Sequence, residues 1–454
     1  MDRTTELLST FACDLAYEDL SPKVVHQIKR TVLDTLGCAA GGFHSEPSLI
    51  ARTLAGSITS STPSRILGTQ AYSSPDMAGF ASGVMIRYLD CNDSYFSPGG
   101  GHPSDMIAAA LAMGRPTNSD GKSVITAIAL AYEVFCRLSD EVVVGDFGWD
   151  QGTFSIVGAT CAAGKLLGLN REQMGHAISL AIAPSLPLGV TRTGELSMWK
   201  GCATATATRA GIFAAQLAQQ GMTGPKEPFE GRRGLWEQVL GDSVQIPSFE
   251  KSRESEDFRI LETTFKAYPA QIHTQCPTGL ALELYPQIAG AQIRSVRIQS
   301  YLSAVSSPAT EPEKWDPKTR ETADHSIPYL VAAALQDGRV NANTFNDEHI
   351  HDPALRTLIA KFTMEEVPDF TQRYPEEYNC RIEITDESGK VYEAHAPYHK
   401  GHRSNPMNDG ELEAKFRGLA SDAINANQCD QVLAQVWALD EAPHLDSLFD
   451  SMVI

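Results

Sequence analysis

The sequence predicts a mainly α protein with an α+β part. A large helical bundle domain is built from both chain ends, and a smaller α+β segment is inserted between them. Three observations lead there. Up to about residue 245 the apolar residues recur at helical spacing. From near residue 260 two stretches alternate apolar and polar residues at period two. After residue 404 the helical pattern returns. At 454 residues the chain is too long for one simple core. The division expected is 1–264 for the first helical part, 265–404 for the α+β insertion and 405–454 for the second helical part.

The individual elements follow from pattern and caps. In SPKVVHQIKRTVLDTLGCAA, Val24, Val25, Ile28, Val32, Leu33 and Leu36 share one helical face, with Ser21 as N-cap and Pro22 in the first turn. DMIAAALAMG, DGKSVITAIALAYEVFCRLSD, FSIVGATCAAGKLLGL and REQMGHAISLAIA repeat the theme. GCATATATRAGIFAAQLAQQG alternates Ala and Thr as a strand would. It is read as helix because Ile212, Phe213 and Leu217 continue the helical period. The abundant Ala, Gly and Thr predict closely approaching helices. In the insertion, AQIRSVRIQSYLSAV and YNCRIEITDESGKVYEAHAPY read as strands, the second with a turn at Asp386 to Gly389. HSIPYLVAAALQDG and DPALRTLIAKF read as helices between them.

Composition narrows the function. The formal net charge of -19 disfavours nucleic acid and anionic membrane as partners. A small anionic substrate would need a local cluster of Lys and Arg. Nine scattered cysteines without a C-x-x-C pair read as reduced, mostly buried thiols of a cytoplasmic protein. The acidic N-terminal stretch shows no leader, and no apolar run reaches the ~18 residues of a membrane span.

The densest chemistry lies in RYLDCNDSYFSPGGGHPSD, residues 87–105. Asp90 and Asp93 are three apart, but there is no second acidic cluster, and the EF-hand pattern is absent. No Walker motif occurs, although glycines leading into a helix can expose N–H groups to an anion. Acid–base chemistry fits best, because His102 at the helix entry titrates near neutrality. Asp90 or Asp93 could orient it, and Ser94 could bind substrate. The plainer alternative is that Asp93 and Ser104 cap helices. Arg192 and Lys200 flank a polar turn in TRTGELSMWKGCATA, where a solvated surface lysine is the alternative. Lys266, Tyr268, Gln271 and His273 surround Pro269 where the two predicted domains would meet, with a core histidine as the alternative. His349/His351 and His395/His399/His402 lack the i, i+4 metal pair and read as surface or domain-junction residues.

Together these stretches, with GWDQGTFSIVGATCAAGKLLGL, GPKEPFEGRRGLWEQV, KWDPKTRETADHSIPYLVAAAL and YHKGHRSNPMNDGELEAKFR, resemble the MmgE/PrpD family, and within it the 2-methylcitrate dehydratase branch. The resemblance implies a helical domain from both chain ends and an inserted α+β lid. It also implies a homodimer, and a lyase site between domain and lid that uses no metal and no other cofactor. The substrate implied is a small tricarboxylate that loses water, with decarboxylation of cis-aconitate or dehydration of a longer alkylcitrate as alternatives. The pocket residues carried over are Asp90, Ser94, His102, Lys200 and His273. Ser94 stands where many members have Thr, and Cys91 where an aromatic residue is usual. On this reading His102 is the base, oriented by Asp90. Lys200 and Arg192 hold carboxylates, and His273 is the acid or exchanges roles with His102. Asp93, Ser94, Gln271 and Lys266 contact substrate.

Overall fold

The computed structural model describes residues 1–241, 244–247, 249, 258–306 and 308–454. The chain is mainly helical with a smaller β part. It divides into two compact units. One comprises Met1–Thr191, Gly201–Thr263 and Asn408–Ile454, and the other Arg192–Lys200 and Thr264–Met407.

In the first unit the Pro22–Gly42 helix starts as its sequence dictates, with Ser21 Oγ accepting from Val24 N at 3.3 Å. Val24, Val25, Ile28, Val32, Leu33 and Leu36 are all buried. Burying such side chains is worth ~1.5–3 kcal/mol each, more than the ~0.7 kcal/mol at most that a β-branched residue costs a helix. The Ala/Thr stretch is one helix, Ala203–Gln219. It packs on the Gly152–Leu166 helix, which in turn packs on Gly121–Glu141. The first of these contacts is backbone to backbone: a Cβ on Gly211 would lie 2.8 Å from Thr160 N. Phe213, expected on the buried face, is exposed. One residue beyond Ile212 it has rotated out of the stripe.

The second unit holds a four-stranded sheet, in the order Phe362–Glu366, Ile293–Ser300, Cys380–Asp386, Val391–Ala396. The first pair is parallel and the others antiparallel, with Ile298 opposite Met364 and Ile382, and Ile382 opposite Ala394. Cys380–Asp386 alternates buried and part-exposed residues, which is the period-two signal of its sequence. The turn after it is tied by Asp386 Oδ1, which accepts from Ser388 N at 2.9 Å and Lys390 N at 3.0 Å. Two readings need correction. Leu302–Ser306, expected to continue a strand, is a short helix. Phe362–Glu366, not anticipated, is a strand five residues long. The Gln275–Leu284 helix packs on the sheet and on the Ile327–Asp337 helix.

All nine cysteines are free thiols, eight of them buried. Among the described residues no helix is long and apolar enough to cross a membrane.

Candidate active site

The polar loop of the first unit folds around His102. The Pro75–Tyr88 helix ends just before it, and Asp90 turns the chain with a left-handed backbone, φ 51°. That conformation costs a residue with a Cβ free energy, less for Asp than for most, and Asn118 and Arg233 adopt it too. Tyr95–Phe96 then pairs with Gly100–Gly101. A Cβ on Gly99 would sit 2.6 Å from the carbonyls of Ser139 and Val142, so only glycine fits. The N–H groups of Gly99 and His102 donate to Ser139 O and to Gln151 Oε1, both at 2.9 Å. The glycine turn is therefore a packing solution, and these N–H groups are spent within the protein instead of facing an anion.

Asp90, Asp93, Ser94 and His102 are brought together, all nearly inaccessible to solvent. His102 Nδ1 lies 2.7 Å from the Asp93 carbonyl and 3.2 Å from Ser94 Oγ. A carbonyl can only accept, so the proton sits on Nδ1, and Nε2 carries the lone pair of the neutral ring. Asp90 Oδ1 is 3.7 Å from that Nε2. The orientation expected from Asp90 thus comes from a backbone carbonyl, and Asp90 stands on the reactive side of the ring. Its carboxylate is paired with Arg87 Nη1, also buried. Asp93 takes the capping alternative. Its Oδ1 accepts from Ser104 N at 3.0 Å and its Oδ2 from the Tyr132 hydroxyl at 2.7 Å. Burial pushes its carboxyl up to about 7, against those two hydrogen bonds. Asn92 Nδ2 donates to Ser104 Oγ and Asp105 Oδ1, closing the loop.

Beneath the loop, Lys415 of the Asp409–Ala420 helix reaches Asp34 Oδ1 at 2.5 Å and the Cys91 carbonyl at 2.8 Å. Burial opposes its charge, but Asp34 more than restores it. Cys91 packs with Cys38 and Leu89 as a small hydrophobe. Lys415→Met would strand a buried carboxylate, so a stability loss of ~3–5 kcal/mol is expected in urea denaturation. The double variant Asp34→Leu/Lys415→Met should recover most of it. A loss below ~1 kcal/mol for the single variant would mean the pair does not anchor the loop.

In the second unit Lys200 is buried, which removes the solvated-lysine alternative. It precedes the small-residue helix, in the turn Met198–Gly201, and its Nζ lies 3.3 and 3.4 Å from the two Asp324 oxygens. Asp324 is fixed by its backbone, since its carbonyl accepts from Gln271 N at 2.9 Å. Its Oδ1 lies 2.5 Å from His325 Nδ1. Gln271 uses its side-chain oxygen to cap the turn Ile272–Thr274, accepting from His273 N at 2.8 Å. His273 Nδ1 meets the Tyr301 hydroxyl at 2.6 Å, and Tyr374 and Tyr378 flank the same ring. Desolvation, with repulsion from His325, Lys266 and His399, pushes His273 down to about 3. Lys266 is fully buried and Arg192 half-buried.

The later histidines divide. His351 and His395 are exposed, and His349 joins Asp337 and Tyr329. His399 and His402, expected at a surface or junction, are buried side by side against Tyr378, because Tyr378 and Tyr398 cover their rings. Sequence reading missed Arg87, Tyr132, Gln151, Lys415, Asp324 and His325. Only the last two carried a signal: an acid beside a histidine, just before the N-cap Ser326 of the Ile327–Asp337 helix.

Two family models match the chain, the MmgE/PrpD N-terminal domain over residues 6–246 and the MmgE/PrpD C-terminal domain over 268–439. The chain belongs to the MmgE/PrpD family and is a lyase. It is 29% identical over 381 residues to a 2-methylcitrate dehydratase of Escherichia coli K12, covering 78% of this chain and 76% of that protein. It is 28% identical over 467 residues to the 2-methylcitrate dehydratase-like protein oryR of Aspergillus oryzae, covering 96% and 92%. Human cis-aconitate decarboxylase is 24% identical over 451 residues, again covering 96% and 92%.

Proposed function

We propose that the chain is a metal-independent hydro-lyase that dehydrates 2-methylcitrate, or a related alkylcitrate or citrate, to the corresponding cis-aconitate. We further propose that it acts as a cytoplasmic homodimer. The observation that carries the reading is the His102 ring. Its Nδ1 is pinned to a carbonyl and its Nε2 faces a buried carboxylate. Such a nitrogen can take a proton from carbon, and Asp90 then steadies the imidazolium formed.

His102 Nε2 removes the C–H proton next to a carboxylate. The electron pair forms the C=C bond, and the hydroxyl leaves with a proton as water. Lys200, Arg192 and Lys266 hold carboxylates and the charge that develops on them. Ser94 and Gln271 contact substrate, and Asp93 acts through the loop it braces. Decarboxylation of cis-aconitate is the second reading, favoured by a relative of that name spanning 96% of this chain.

The test uses protein in EDTA with 2-methylcitrate, citrate, a longer alkylcitrate and cis-aconitate, followed at 240 nm with product masses. A product lighter by one water supports dehydration. Loss of CO₂ from cis-aconitate moves the chain to the second reading. Activity restored only by added metal would overturn the metal-free mechanism.

A further inference from the structure

We propose that His325 is a catalytic residue, the proton donor to the departing hydroxyl, and that Asp324 is its positioning residue. The inference rests on the lyase reading above and deepens it.

Loss of water needs two proton transfers. One proton leaves carbon, and another must reach the hydroxyl as the C–O bond breaks, because hydroxide is a poor leaving group. The donor has to be protonated before the step and must recover its proton afterwards. His273 was the sequence's choice for this part, and its surroundings do not suit it. Its ring is enclosed by Tyr301, Tyr374 and Tyr378, with centroids 5.5, 5.9 and 6.2 Å away. Desolvation, with repulsion from His325, Lys266 and His399, holds its imidazolium well below the ordinary histidine value, so the ring is neutral at pH 7. A neutral imidazole is a very weak acid.

His325 differs in its partner, although both residues are part-exposed. Its Nδ1 is 2.5 Å from a carboxylate oxygen, and its side chain keeps 15% exposure where Asp324 keeps 1%. An ionised carboxylate only accepts, so Nδ1 carries a proton, and the exchangeable proton belongs to Nε2. The carboxylate also favours the imidazolium over the neutral ring. Asp324 is built to do this. Its N–H donates to Arg320 O at 2.9 Å and its carbonyl accepts from Gln271 N at 2.9 Å, so the side chain leaves a backbone tied on both sides. Lys200 shares the same carboxylate, which places a cation and an acid–base group on one anchor. A substrate carboxylate drawn to Lys200 would bring its neighbouring hydroxyl toward the His325 ring.

The step balances. The C–H proton goes to the base, its electron pair becomes the second bond of C=C, and the C–O pair leaves with oxygen. His325 Nε2–H supplies the proton that completes water. His325 ends neutral and the base ends protonated, and exchange with solvent resets both.

The test measures kcat and KM for 2-methylcitrate against pH in His325→Asn, His325→Gln, Asp324→Asn and His273→Asn. His325→Asn should lower kcat by ~10²–10⁴ with little change in KM. Asp324→Asn should keep measurable activity but move the alkaline limb of the kcat profile to lower pH, because the imidazolium loses its carboxylate. A purely structural Asp324 would lower kcat without moving that limb. If His325→Asn does not fold, His325→Gln and the Asp324→Asn profile decide. Wild-type activity together with a His325 variant within threefold of it overturns this proposal alone. A wild type inactive on every tricarboxylate overturns the lyase reading and this proposal with it. An alkaline limb abolished by His273→Asn and kept by His325→Asn would return the donor role to His273.

Discussion

His102→Ala is expected to lower the turnover of 2-methylcitrate by ~10²–10⁴, the usual cost of deleting a general base. The fold should survive, because the deleted ring makes few of the loop's connections. Asp93 still holds Ser104 N and the Tyr132 hydroxyl, Asn92 still holds Ser104 and Asp105, and Lys415 still holds the Cys91 carbonyl. The loss should therefore fall on kcat with the thermal midpoint little changed. His102→Gln gives a sharper reading. Glutamine can still donate to the Asp93 carbonyl but cannot accept a proton from carbon. If it turned over within tenfold of wild type, base catalysis by His102 would be untenable. Asp90→Asn tests the partner. It leaves the ring's tautomer to the Asp93 carbonyl but removes the charge facing Nε2, so its effect should be smaller than that of His102→Ala.

Much of this loop was legible because its polar density is out of keeping with the apolar helix that follows. What spacing could not supply was the division of labour. Asp90 and Asp93 look equivalent in sequence, three residues apart. The fold gives one a left-handed turn beside Arg87 and the other a place at a helix entry beneath Tyr132. Arg87 was hidden because it lies in the last turn of a largely apolar helix, and Tyr132 and Lys415 because their contacts come from distant parts of the chain. The same limit explains the strand Phe362–Glu366. Five residues give too short a window for period two, and their extended form is imposed by pairing with Ile293–Ser300. The helix Pro22–Gly42, by contrast, is set by caps and a stripe within its own sequence.

The second unit should lose stability steeply as pH falls below about 6.5. Burial holds His273 and His399 neutral down to about 3 and His402 down to about 4, with repulsion from neighbouring cations adding to each. Their folded pKa values lie below the ordinary histidine value of ~6.5. Between these limits the unfolded chain binds protons that the folded unit refuses. Stability is therefore full above ~6.5 and declines as pH falls toward 3, with a slope of up to ~4 kcal/mol per pH unit if all three rings titrate on unfolding. Asp93 works in the opposite sense. Its folded pKa of about 7 lies above the ordinary carboxylate value, so its contribution is full below ~4 and is lost as pH rises through 7. That group belongs to the first unit and the three histidines to the second. Hydrogen exchange resolved by peptide, corrected for intrinsic rates, can follow the two separately. Peptides from Cys380–Asp386 should lose protection between pH 7 and 5, while those from Gly121–Glu141 should not. His399→Gln should cut the acid slope of the second unit by about a third, since one of three titrations is removed. An unchanged slope would mean that the unit opens far enough at neutral pH for these rings to titrate as they do in water.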